Sequence, residues 1–270
     1  MSKQQRREIP RFETPIFETH CHLDYLDEDA LGETLQRASD VGVEKIITIA
    51  VSPGNLDRVR QLTRQAGHIW GTQGIHPHEA AHYDDAVDSR IRDALADERL
   101  LAVGEIGLDY YYDHADRAVQ REVFERQLQI AVDLDLPVVI HTREADDDTR
   151  AILANFSDRL SRKGVIHSFT SSLALAEYCL GEGFSLGFNG IATFKAADNV
   201  REVIAATPPQ QALLETDSPY LTPVPYRGRP NAPCYLPFVA EQVASCLNLP
   251  VEELLDHAWR NSHRLFFGDT

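Results

Sequence analysis

Cysteine is scarce and unpatterned in this chain. The four present, Cys21, Cys179, Cys234 and Cys246, form no C-x-x-C pair. Reduced thiols are therefore expected rather than a disulfide framework or a cysteine-held structural zinc. No apolar run approaches the roughly 20 residues that cross a bilayer. The opening MSKQQRREIPRF is polar and basic with no apolar core, so no secretory signal is expected. Basic residues are also short: 26 Lys and Arg against 42 Asp and Glu leave a net charge of −16. That balance argues against the broad basic surface of a sequence-blind nucleic-acid binder, though not against an enzyme that grips one or two phosphates. A cytoplasmic protein with no membrane segment and no obligate protein partner is the expectation.

What the chain does have is a repeated pattern. Eight apolar or β-rich runs recur along its 270 residues: PIFETH (15–20), EKIITIAV (44–51), IWGTQGIH (69–76), LLAVGEIG (100–107), PVVIHT (137–142), GVIHSF (164–169), FSLGFNG (184–190) and ALLETD (212–217). Near-continuous apolar strands indicate a parallel sheet covered on both faces. Amphipathic segments separate them, at about 29–40, 55–66, 84–96, 119–135, 144–160, 172–181 and 196–206, with closing helices over 234–248 and 251–267. In 119–135, Phe124, Leu128, Ala131 and Leu134 fall at helical spacing. Pro137, Gly42 and Gly164 mark returns from helix to strand. Eight such units predict an α/β fold, a (β/α)8 TIM-type barrel, with an open doubly wound sheet as the alternative. Residues 15–270 read as one catalytic domain and 1–14 as a flexible extension.

The runs end in residues that bind metals. The first ends in His20 and His22, the third in His76 and His78, the fourth in Glu105 and Asp109, the fifth in His141, the sixth in His167 and the eighth in Asp217. Ionisable groups after runs such as PVVI are costly unless they gain a partner, and barrel strands converge at their C-terminal ends. Imidazole with carboxylate suits zinc, manganese, iron or cobalt, or magnesium where carboxylate and water dominate. Six ligands exceed the need of one catalytic zinc, whereas two cations about 3.5–4 Å apart use six naturally. His68, His82, His114, His257 and His263 read as ordinary surface or helix residues.

The strings ETHCHLD, GIHPHE, VGEIGLDYYYD, PVVIHTREA, VIHSFTS, FNGIATFK and LLETDSPYLTPVPYRGRPN, in that order from about residue 15 to 267, resemble the TatD family of metal-dependent deoxyribonucleases. The resemblance implies a TIM-type barrel with two divalent metal ions (zinc, magnesium or manganese). It also implies hydrolysis of DNA phosphodiesters, often as a 3′ to 5′ exonuclease acting on single-stranded or frayed ends. By the family pattern, His20, His22 and Asp217 hold the first metal, Glu105 bridges, and His141 and His167 hold the second. His76, His78 and Arg229 match positions that contact substrate phosphate. Two departures stand out: Glu18 replaces an aspartate common two places before the first histidine, and Ala232 replaces a frequent glutamate.

On that reading a metal-activated water attacks phosphorus, with Asp217 and Glu105 as the catalytic carboxylates. Lys195 is a further phosphate candidate, Asp109 a support for a ligand, and Tyr110–Tyr112 either a base-stacking element or packing. The alternative is hydrolysis of a small-molecule amide or ester, or of an aminoacyl-tRNA ester, by the same hardware, because strand-end ligands do not distinguish carbonyl carbon from phosphorus.

Overall fold

Every residue of β1 (Ile16–Cys21) and β4 (Leu100–Asp109) is buried, so neither strand has a solvent face. This is the condition of a parallel sheet clad in helices. The structure, a computed structural model, describes residues 7–26 and 28–268. The remaining strands are β2 (Val43–Thr48), β3 (Ile69–Gln73), β5 (Val138–Arg143), β6 (Gly164–Ile166), β7 (Ser185–Phe188) and β8 (Ala212–Leu214). They pair in parallel in sequential order from β1 to β8. A sequential order has no switch point, which removes the open doubly wound alternative.

The sheet then curls until β8 meets β1. There the seam is stitched by Asp217 N–H donating to His20 C=O (2.9 Å) and His22 N–H donating to Ser218 C=O (2.8 Å). Thr19 Oγ1 adds a bond to Leu214 C=O (2.9 Å). The result is the (β/α)8 barrel that the sequence predicts.

Alternate strand residues go to two separate cores, as period-2 strands in a closed barrel require. Ile46, Val138, Ile140 and Ile166 pack outward against the helices. Phe17, Ile47, Val139, Val165 and Leu213 form a second cluster with Leu265 and Phe266. The last two belong to α9 (Val251–Phe267). Phe17 meets Trp259 and Phe266 at centroid distances of 6.0 and 6.2 Å, so α9 plugs the end where the strands begin.

Helix starts follow capping chemistry. α4 (Arg117–Leu134) begins at Asp116, whose carboxylate accepts from Ala118 and Val119 N–H. This sets the helix two residues ahead of the start that apolar spacing gives. β6 and β8 stop three residues short of their expected ends. The chain turns into left-handed backbone at Ser168 (φ 47°) and Asp217 (φ 57°), which aims polar side chains instead of continuing the ladder.

Residues 1–6 of the expected extension lie outside the described residues. From Arg7 onward the chain runs along the barrel: Tyr226 Oη donates to Arg7 C=O, and the N–H groups of Glu13 and Thr14 donate to Glu252. Among the described residues no helix is long and apolar enough to cross a membrane.

Candidate metal centre

His20 and Glu105 are buried and face each other from β1 and β4, with His20 Nε2 3.4 Å from Glu105 Oε2. The other oxygen, Glu105 Oε1, lies 2.7 Å from His167 Nε2, 3.1 Å from His141 Nδ1 and 3.4 Å from His76 Nε2. Glu105 thus turns one oxygen to each half of the cluster. On the β1 side, Asp217 Oδ1 sits 3.4 Å from His22 Nε2 and 3.7 Å from His20 Nε2.

Three sets of side chains bring ligand atoms within 4.8 Å of one another: His20 with His22 and Asp217; His20 with Glu105 and His167; and His76 with Glu105 and His141. All of them except the fully buried His20 line a cavity of about 600 Å³ at the strand C-terminal ends, within the size range of small-ligand sites.

The backbone is shaped to permit this convergence. Gly107 lies at φ +137°, where a Cβ would fall 1.9 Å from His141 C=O. Only glycine lets β4 and β5 approach closely enough to put Glu105 beside His141. Asp217 holds a left-handed conformation, which aspartate tolerates at a cost of about 1 kcal/mol or more.

Hydrogen bonds fix which ring nitrogens face the centre. Asp109 Oδ2 accepts from both His141 Nε2 and His78 Nε2, each at 3.0 Å. When His141 is neutral its proton therefore stays on Nε2, which leaves Nδ1, the nitrogen facing Glu105, as the ligand atom. His76 is the reverse case. Its Nδ1 accepts from His78 N–H (3.1 Å), so the neutral ring presents an N–H donor at Nε2 rather than a lone pair. His20, His22 and His167 all face inward through Nε2.

The electrostatics describe a site that attracts positive charge. Burial works against charge on Glu105, yet His167, His76 and His141 outweigh it and hold the carboxyl well below its usual range. Asp217 is likewise lowered, burial being overcome by His22, His20 and His167. Burial opposes a proton on His167, but Glu105 overrides it and lifts that ring well above its ordinary value. His141 and His22 are raised in the same sense, burial being overcome chiefly by Asp109 and Glu105 for the first and by Asp217 for the second. Burial lowers His20 and His76.

Beneath the centre, Glu18 is fully buried. Its Oε1 accepts from Thr216 N–H (2.9 Å) and His20 N–H (3.1 Å), and burial lifts its pKa to about 8.

A divalent cation fits this donor set. Both nitrogens of His20, and Nδ1 of His22 and His167, are buried without a hydrogen-bond partner among the described residues. Such atoms cost about 1–3 kcal/mol each when left unsatisfied, and His20 Nε2 would find its partner in a cation that His20 would hold together with Glu105 or Asp217. The imidazole and carboxylate mixture suits zinc, manganese or magnesium.

Of the residues singled out in the sequence, His20, His22, His76, His78, Glu105, His141, His167 and Asp217 come together here. Arg229 does not: it is exposed and not among the residues that line the cavity, as is Lys195. Arg143, Tyr25 and Tyr220 line the cavity instead. Sequence spacing gave no signal for the two tyrosines, and Arg143 sits two residues past His141, where strand parity does point inward. His114, read as a surface residue, is exposed, and its ring meets that of His78 edge-on at 4.7 Å. Glu18, noted in the sequence only as a departure from the family pattern, ties β1 to the β8 seam.

An eight-stranded barrel whose strand ends converge on imidazoles and carboxylates defines a metal-dependent hydrolase. A family model described as TatD related DNase matches residues 17–267. The chain is 37% identical over 259 residues to the uncharacterized metal-dependent hydrolase YcfH of Escherichia coli, covering 94% of this chain and 96% of that one. It is 33% identical over 240 residues to a Pantoea vagans protein named 3′-5′ ssDNA/RNA exonuclease TatD, covering 87% and 92%. The crystal structure of YJJV, a TatD homologue from Escherichia coli, superposes with a TM-score of 0.88 at 32% identity over 93% of this chain and 98% of that one. The chain belongs to the TatD family.

Proposed function

We propose that this chain hydrolyses phosphodiester bonds of DNA with two divalent cations, releasing nucleotides in the 3′ to 5′ direction from single-stranded or frayed ends. The observation that carries the reading is Glu105, with Oε2 toward His20 and Oε1 toward His141 and His167. This is the placement a bridging carboxylate needs. His20, His22 and Asp217 would hold one cation, and His141 with His167 the other. Bound there, the pair supplies Lewis acidity that lowers the pKa of a coordinated water and offsets phosphate charge.

The chain's own groups do the rest. His76, kept neutral by burial, offers its Nε2–H to a phosphoryl oxygen. His78 stands behind it, its Nε2–H held by Asp109. Asp217 is the more exposed acid of the centre, at 15% against 3% for Glu105, and is the group assigned to take the attacking water's proton. The Pantoea relative's name supports the substrate class and direction. Residues 15–270 act as one catalytic domain in this reading, in the cytoplasm.

The test is digestion of 3′-labelled and 5′-labelled oligonucleotides by protein loaded with magnesium, manganese or zinc. Stepwise loss from the 3′ end is expected. Inertness toward every oligonucleotide, alongside turnover of an amide or ester panel, would give the site to the alternative chemistry.

A further inference from the structure

Arg143 is an arginine without an acid. It ends β5, two residues past His141, and lines the cavity. Among the described residues its guanidinium forms no hydrogen bond or ion pair, while Arg60, Arg92 and Arg126 are all paired to aspartates. It is held from behind, 3.9 Å above the ring of Tyr111 and 4.8 Å from that of Tyr112. The turn that carries both tyrosines is itself pinned, since Asp109 Oδ1 accepts from Tyr111 and Tyr112 N–H at 3.0 Å each. A planar cation fixed on one face, with its N–H fork free beside the centre, is built to receive a bidentate anion.

The opposite wall has different chemistry. In sequential barrel order the β1 and β8 loops lie across the mouth from those of β4 and β5. They carry Tyr25 and Tyr220, which are 47% and 54% exposed, meet at 6.1 Å and both line the cavity. Tyr25 backs onto His22 in a stack of 5.2 Å, so one ring face is used and the other is open. Large rings left open beside a polar centre are partners for another π-face.

We propose that the cavity clamps one unpaired nucleotide across its mouth: Arg143 takes a phosphate of the strand, and the Tyr25–Tyr220 wall stacks the base about to be released. The proposal rests on the phosphodiesterase reading and deepens it. It assigns the demand for an unpaired end to two tyrosines and moves phosphate contact from Arg229 to Arg143. A base still paired in a duplex cannot reach the tyrosine wall. Stacking tolerates every base, so no sequence preference follows.

The test compares a single-stranded oligonucleotide carrying a normal 3′-terminal nucleotide with one ending in an abasic analogue. Wild-type protein should prefer the normal end by about 10-fold or more in kcat/KM. Tyr25→Ala/Tyr220→Ala should cut both at the abasic rate, and Tyr25→Phe/Tyr220→Phe should restore the preference. Arg143→Gln should slow both substrates by a similar factor and reduce the slope of log affinity against log salt by about one. In metal-free protein, quenching of a 3′-terminal 2-aminopurine on binding should be present in wild type and absent in the alanine pair. Retained base preference in that pair, or an unchanged salt slope in Arg143→Gln, overturns the clamp while leaving the phosphodiesterase reading intact. No cleavage by wild type under any of the three cations, with no 2-aminopurine response, overturns both.

Discussion

Asp109 Oδ2 lies 3.0 Å from His141 Nε2 and, on its other side, 3.0 Å from His78 Nε2. One oxygen therefore sets the tautomer of a centre-facing imidazole and the pose of a rim imidazole together. Asp109→Asn replaces one acceptor by an N–H2 group, which forfeits either the two imidazole contacts or the bonds that the other oxygen accepts from Tyr111 and Tyr112 N–H. Cation affinity should fall about 10- to 100-fold when measured by calorimetric titration with zinc or manganese. Equal affinity in variant and wild type would strip Asp109 of that role.

Glu105 is the one carboxylate that both halves of the centre share. Glu105→Gln should reduce the cations held per chain, read by elemental analysis, and lower hydrolysis by about a thousandfold. A variant that keeps both its metal content and its rate would place the bridge elsewhere.

Cation uptake should release protons. His22, His141 and His167 all have raised pKa values, so at pH below those values a cation must displace a proton from each. Affinity should weaken as pH falls through these raised values and level off above them. Titrations in two buffers of different ionisation enthalpy give the proton count directly, and a count of zero would contradict the assignment.

Glu18 makes a prediction about stability rather than activity. Its pKa rises from 4.5 unfolded to about 8 folded, so the fold favours the protonated acid. The stabilisation is complete below about 4.5 and is lost as pH climbs toward 8. At about 1.4 kcal/mol per unit, the swing is on the order of 3–5 kcal/mol. Glu18→Gln, measured on metal-stripped protein, should flatten the decline of stability between these pH values. The slope is the readout, because a new buried amide shifts the whole curve without tilting it. Parallel wild-type and variant curves would show that Glu18 is ionised throughout.

The barrel was legible in the sequence because its strands obey one simple rule, apolar on both faces, and its helices another. The ligand set was legible for a related reason: a histidine after PVVI or GVI is anomalous wherever it stands. Element ends were less so. β6 and β8 stop at Ile166 and Leu214 because Ser168 and Asp217 take left-handed backbone, which no apolar pattern encodes. Arg143 was overlooked because its distinction is relational. Arginines are common in this chain, and only the folded arrangement shows which one lacks an acid and sits on a pinned tyrosine pair. The expectation for Arg229 came from the family pattern, and its exposed position beyond the cavity lining withdraws the support. The role of Glu18 was not legible either, since counting residues along β1 does not reveal that it accepts from Thr216 N–H across the seam.

That seam joins the first strand of the barrel to its last. A chain still emerging from the ribosome has His20, Glu105, His141 and His167 in hand but lacks Asp217 and the backbone bonds that draw it to His20. The set His20, His22 and Asp217 is therefore incomplete until the ring closes. Barrel closure and assembly of that ligand set are thus one event, because the same backbone bonds secure both.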